Sequence, residues 1–156
     1  MAKLTLVADG ITQQLEGYVK RANALEGYLN RVVVEQYRNI QRTRWMTEGA
    51  SEGKPWDPLS PRYSAWKRVH YKSYPGAGTR MLVATGRLQK GVIGMSPDFR
   101  KVTTPRSLTI STAVEYAEHV NEARSFTTYS TKSLKEILTG INKFLLKNQI
   151  RIPRAF

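Results

Sequence analysis

The sequence predicts an α+β fold in which N-terminal helices and a long amphipathic C-terminal helix pack on a small, mostly antiparallel sheet. Three observations predict it. Apolar residues recur at helical spacing near both ends of the chain, two Thr-, Val- and Ile-rich segments within 101–112 are split by Pro105 and Arg106, and glycine and proline concentrate between these regions. With 156 residues, 40% of them hydrophobic and none of them cysteine, the chain is expected to form one domain whose core stands on packing alone. The expected organisation is an N-terminal strand and helices over 2–48, a loop-rich basic excursion over 49–80, sheet and C-terminal helix over 81–147, and a basic tail over 148–156.

Lys3 to Val7 alternates weakly and reads as a short strand, with Asp9 as N-cap of the helix that follows. Ile11, Leu15, Tyr18, Val19 and Ala22 form one helical stripe, weakened by Gly17. A second pattern starts near Ala24, with Leu25, Leu29, Val33, Tyr37 and Ile40 on one face and Arg31, Glu35, Arg38 and Arg42 mostly elsewhere, running to about Glu48. Gly49, Gly53, Pro55, Pro58 and Pro61 make 49–61 a loop. Ser60 and Pro61 then read as N-cap and first helical residue of a short helix reaching about Tyr71, and Tyr74-Pro75-Gly76-Ala77-Gly78 closes it.

Met81-Leu82-Val83-Ala84 is a short apolar run, and Thr85 is placed to cap a helical turn through Lys90. Val92 to Met95 reads as a strand. Residues 101–104 and 107–112 read as a hairpin-like strand pair, and 113–122 as a short helix followed by a Ser/Thr-rich stretch over 125–131. In the last helix Leu134, Ile137, Leu138, Ile141, Phe144 and Leu145 share one face, and Ser133 with Glu136 has capping-box spacing. Burying those six side chains would contribute roughly 10 kcal/mol gross, so this helix is expected in the core. The tail, residues 151–156, contains Pro153 and does not extend it far.

Lys and Arg number 25 against 12 Asp and Glu, a formal charge of +13 that suits phosphate, acidic protein or an anionic surface. No apolar run approaches the roughly 20 residues that span a bilayer, and Leu4 to Ala8 is too short for the apolar region of a signal peptide, so a soluble protein without a membrane partner is expected. His70 and His119 are the two histidines. Glu115 lies four residues before His119, a pair that needs further converging ligands to hold a metal, so no metal and no cofactor are expected. There is no Gly-x-Ser-x-Gly elbow, Gly76-Ala77-Gly78 lacks the rest of a dinucleotide loop, and the carboxylates Asp57 and Asp98 stand far apart. No enzymatic activity is expected.

Residues 50–107 hold eleven Lys or Arg against Glu52, Asp57 and Asp98, and so carry +8 of the +13. Within them Arg62, Tyr63, Trp66, Lys67, Arg68, Tyr71, Lys72 and Tyr74 interleave cations with aromatics, as a platform for single-stranded nucleic acid does. The simpler reading is that Tyr63, Trp66 and His70 or Val69 form a packed helical stripe while the cations are solvated.

Three blocks taken together carry a resemblance: Glu52-Gly53-Lys54-Pro55-Trp56-Asp57-Pro58-Leu59-Ser60-Pro61, then Met81-Leu82-Val83-Ala84-Thr85-Gly86-Arg87-Leu88, then Val114-Glu115-Tyr116-Ala117-Glu118-His119. In order and spacing, across roughly 25–145, they resemble the phage virion morphogenesis family, the tail-completion proteins of tailed bacteriophages. That family has a Gly-x-x-Trp-x-Pro-Leu loop, a leucine-rich strand running into Thr-Gly-x-Leu, and a Tyr-Ala-x-x-His block. Where it usually has glycine soon after the histidine, this chain reads Val120-Asn121-Glu122-Ala123-Arg124.

The resemblance implies a structural protein of the virion neck, made in the host cytoplasm, that assembles as a ring (hexamer or dodecamer) and meets connector or tail-tube proteins. Trp56, on a stiff loop, suits either pinning that loop to its own core or reaching a neighbour. Expected interface residues are Trp56, Pro58, Leu59, Tyr74, Arg151 and Phe156. Arg62, Lys67, Arg68, Lys72, Arg87 and Lys90 are the expected contacts to an acidic partner or to double-stranded DNA in the channel. The alternative is a sequence-nonspecific nucleic-acid-binding module using 61–74.

Overall fold

A computed structural model describes residues 9–74, 76 and 79–146. The strand expected over 3–7, the side chain of Asp9, and the tail with Arg151 and Phe156 lie outside the described residues. Helix α1 (Asp9–Asn23) leads through Ala24, whose N–H donates to the Lys20 and Arg21 carbonyls at 3.1 and 3.0 Å, into α2 (Leu25–Tyr28), a π-helical turn (Leu29–Val33) and α3 (Val34–Met46). The π turn inserts an extra residue into the helical register. Val33 and Val34 are both buried, and the inward face beyond them is Gln41, Arg44 and Trp45, with Ile40 only half-buried. Gly49, at φ +89°, ends this run: a Cβ there would lie 2.3 Å from the Lys54 carbonyl oxygen.

A short 3₁₀ turn (Ala50–Glu52) opens the proline loop, and α4 (Pro61–His70) begins as expected, with the Ser60 hydroxyl accepting from the Tyr63 N–H at 3.3 Å. Residues 81–86 are turns, with Leu82 at φ +55°, where the family pattern implies a strand. Helix α5 (Arg87–Ile93) follows between left-handed Gly86 and Gly94. Val92 and Ile93, expected in a strand, belong to this helix because they are buried on its inner face with Leu88 and Gly91. Gly91 rests on the hairpin, where an added Cβ would be 2.7 Å from Thr112 Oγ1.

The hairpin itself is β1 (Phe99–Thr104) and β2 (Ser107–Thr112), antiparallel, with Phe99 opposite Thr112 and Thr104 opposite Ser107 across Pro105-Arg106. Helix α6 (Ala117–Ala123) runs past His119 where the resemblance has glycine, and the chain turns afterwards. Asn121 Oδ1 fixes that turn by accepting from the Phe126 and Thr127 N–H groups at 3.0 and 3.2 Å.

The last helix, α7 (Thr131–Leu146), lies along the N-terminal helices: Phe144 stacks on Tyr28 at 4.3 Å and Arg21 Nε donates to the Leu145 carbonyl at 2.8 Å. Ser130, rather than Ser133, caps it, its hydroxyl accepting from the Ser133 N–H at 3.2 Å. The expectation that its whole apolar stripe is core does not hold. Ile137, Ile141 and Phe144 are half-buried, but Leu134 and Leu138 are 47% and 57% exposed, and the one buried residue of the helix is Ser133. Most of the described stripe of α1 is likewise turned out, with Leu15, Tyr18 and Val19 60%, 44% and 55% exposed; Gln14, Gly17, Arg21 and Ala22 are its half-buried positions, and the side chain of Ile11 lies outside the described residues. The core is assembled instead from the middle of the chain: Trp45, Trp56, Val83, Leu88, Val92, Ile93, Val114, Ala117 and Phe126.

Candidate functional site

The three blocks of the resemblance, separated by 20 or more residues, meet at one cleft of about 590 Å³. Leu59 comes from the proline loop, Thr85 to Leu88 from the start of α5, and Tyr116 and His119 from the start of α6; α4 closes the other side with Tyr63 and Lys67.

Helix α4 is inverted relative to the packed-stripe expectation. Its one buried residue is the cation Lys67, 2% exposed, whereas Tyr63, Trp66 and Val69 face outward. The ammonium is held by the Arg80 carbonyl, which accepts from Nζ at 3.0 Å, and it lies 5.9 Å from the centre of the Tyr63 ring. Burial depresses its pKa, a shift that the Glu48 charge opposes. Lys67 is therefore not on the outer surface where a DNA or partner contact was expected. The outward rings stack on one another, Tyr63 on Trp66 at 5.6 Å and Trp66 on His70 at 4.2 Å. Spacing correctly puts these rings on one face; it does not say that the face turns inward.

Arg87 is committed elsewhere too. Its guanidinium clasps Asp98 (3.0 and 3.1 Å) and Glu115 (3.0 and 3.2 Å), two bidentate pairs that raise its own pKa and lower the Asp98 carboxyl; the Glu115 carboxyl is lowered first by its own backbone N–H and then by Arg87. The triad carries a net negative charge, contrary to its expected part in binding an anion. Arg62, Arg68, Lys72 and Lys90 are exposed, and none forms an ion pair with the described residues.

Trp56 is a core residue. It meets Trp45 edge-on at 5.1 Å, and its Nε1 donates to the Ser125 carbonyl at 3.1 Å, so the loop is pinned and the ring is withdrawn from the interface expected of it. Pro58 stays exposed beside it, Leu59 is half-buried in the cleft wall, and Tyr74 is exposed next to Tyr71 at 6.4 Å.

Compared with protein families, curated proteins and solved structures, the chain matches none. Its own geometry carries the rest of the argument.

A second cluster was missed by sequence reasoning. Arg44, 1% exposed, donates to the Phe126 and Thr128 carbonyls and lies 3.5 Å from Glu52 and 5.0 Å from the Tyr129 ring centre. Glu52 accepts from the Ser130 N–H at 2.8 Å and the Ser133 hydroxyl at 2.9 Å, and Gln41 Nε2 donates to Tyr129 Oη at 2.9 Å. Burial pushes the Glu52 carboxyl up, but the serine donors and the Arg44 charge together hold it below its ordinary value. The clasp binds α3 to the segment behind the cleft and to the start of α7. One signal was available: continued at helical period, the stripe through Val33 and Tyr37 falls on the polar residues Gln41 and Arg44.

Proposed function

We propose that this chain is a structural, non-catalytic virion protein of the phage neck, completing the tail or joining it to the head as a homo-oligomeric ring. The carrying observation is the outward turn of two apolar stripes, Leu15, Tyr18 and Val19 on α1 and Leu134 and Leu138 on α7. A chain with ample polar residues leaves such stripes on its surface where something covers them. Because each of these Leu and Val side chains is about half exposed, covering it with an adjoining copy contributes about 1–1.5 kcal/mol. The order and spacing of the three blocks supply the phage context, and their convergence on one cleft gives that pattern a physical meaning. A ring needs a heterologous contact, in which one patch of each copy meets a different patch of the next.

The test uses heads and tails from a phage lacking this chain. Added wild-type protein is expected to restore joined particles, while Leu15→Glu/Val19→Glu and Leu134→Glu/Leu138→Glu proteins, each folded by circular dichroism, fail to do so. Particles that join without the protein, or with both variants, would overturn the reading.

The aromatic ladder on α4 favours a second reading, nonspecific nucleic-acid binding through 61–74. Arg62, Arg68 and Lys72, all exposed on this segment, would supply the phosphate contacts. Such binding weakens steeply with salt. Absence of DNA affinity at low salt removes it.

A further inference from the structure

We propose that residues 150–156, which lie outside the described residues, form a strap that covers the Leu15 and Val19 stripe of their own chain's α1 until an adjoining copy takes that place. The inference rests on the assembly reading, in which the stripe is an interface, and adds what regulates it.

The stripe lines a shallow groove of about 500 Å³ with Glu16, Lys20 and Asn23. One acid and one base cancel there, so the groove selects an occupant by apolar side chains and not by charge. Such side chains follow directly on α7. That helix is described to Leu146, and its last turn is tied to α1 by the bond from Arg21 Nε to the Leu145 carbonyl, 2.8 Å. Residues 147–156 therefore start beside α1, and they carry Ile150, Ile152 and Phe156.

The reach matches the groove. At about 100° per residue, Val19 stands about 160° round the helix from Arg21 and Leu15 about 120°, so the groove is on the far side from the anchor. Going round a helix about 10–12 Å across to Val19 takes a path of about 14–17 Å, and the path to Leu15, with its rise of about 9 Å, is about as long. Ile152 is the sixth residue after Leu146 and has about 20 Å of extended chain to use. Pro153 favours an extended path, because a proline fixes its own φ and biases the residue before it away from the helix. A tether this short holds the strap near its own α1 at an effective concentration of about millimolar, which free copies in dilute solution do not reach. Copies gathered on a tail end do, and each brings a broader surface than three side chains.

Because the chain contains no cysteine, an introduced pair reports on this contact alone. Full-length Val19→Cys/Ile152→Cys protein, oxidised in dilute solution, is expected to close a disulfide within one chain, seen at monomer mass and with faster migration in a non-reducing gel. Ile152→Glu/Phe156→Glu, which changes none of the core residues, is expected to release the strap. Self-association in sedimentation velocity should then rise about tenfold, and adding Leu15→Glu should remove that gain. No disulfide, a ladder of cross-linked copies in place of the monomer product, or self-association unchanged in Ile152→Glu/Phe156→Glu would overturn the proposal. If it fails while Leu15→Glu/Val19→Glu protein still does not join heads to tails, the strap is lost and the interface stands.

Discussion

Replacing Arg44 by alanine removes the one cation among the described residues that approaches the largely buried Glu52 carboxylate, at 3.5 Å, and leaves the Thr128 carbonyl without its Arg44 donor, while the Phe126 carbonyl keeps only Gln41 Nε2, at 3.2 Å. Each orphaned polar group costs about 1–3 kcal/mol, and breaking a buried pair from one side costs about 3–5 kcal/mol in all. Against a domain stability of roughly 5–15 kcal/mol, that is a fifth or more of the total. Urea unfolding followed by tryptophan fluorescence reads it directly, since Trp45 and Trp56 both lie in the core. The midpoint is expected to fall with the slope unchanged.

Glu52→Gln is expected to cost less, because the amide oxygen can still accept from the Ser130 N–H while the amide NH2 can donate to the Ser133 hydroxyl, and the double variant should cost less than the sum of the two. The pH dependence has a definite sign. The carboxyl of Glu52 is held below its ordinary 4.5, so its contribution is present above that value and is lost as pH falls through the lower, folded value. The gap in midpoint between wild type and Glu52→Gln should therefore close on acidification. A loss below about 1 kcal/mol for Arg44→Ala, or a gap that widens in acid, would refute the clasp as a source of stability.

Other expectations follow from single contacts. Trp56→Ala should cost about 3–5 kcal/mol through the cavity it leaves against Trp45, checked by the same urea assay. Gly49→Ala combines φ +89° with an approach to the Lys54 carbonyl and should lower stability by about 1–3 kcal/mol, read as a fall in thermal midpoint. Leu15→Glu and Leu138→Glu, at outward positions, should change the stability of the isolated chain by no more than about 0.5 kcal/mol while abolishing assembly in sedimentation velocity.

Local chemistry was legible in the sequence where it decides the structure by itself. Ser60-Pro61 starts α4 because a hydroxyl acceptor and a fixed φ suffice, and the hairpin follows from Thr-, Val- and Ile-rich segments around Pro105-Arg106. Orientation was less legible. Helical period groups Tyr63 with Trp66, and Leu15 with Val19, but the side that faces the core depends on what the rest of the chain offers, and here it offers Lys67 a carbonyl and gives the aromatics water. Val92 and Ile93 have β-branched side chains that suit a strand, and packing of Gly91 on Thr112 overrides that preference. Period alone carries the stripe of Val33 and Tyr37 on to Gln41 and Arg44, but their polar character pointed outward, and only the carbonyls and carboxylate that the fold brings to Arg44 let it turn inward. At the candidate site, Leu59, Arg87 and Lys67 were named from sequence, yet their meeting at one cleft is a property of the fold, as are the burial of Lys67 and the neutralisation of Arg87.

The most direct measurement is electron microscopy of phage particles made without this chain and then supplied with it. The account predicts separate heads and tails before addition, joined particles with a ring of added density at the neck afterwards, and no joining with Leu15→Glu/Val19→Glu protein. Tails already joined to heads in the absence of the chain, or joining that proceeds equally well with that variant, would contradict it.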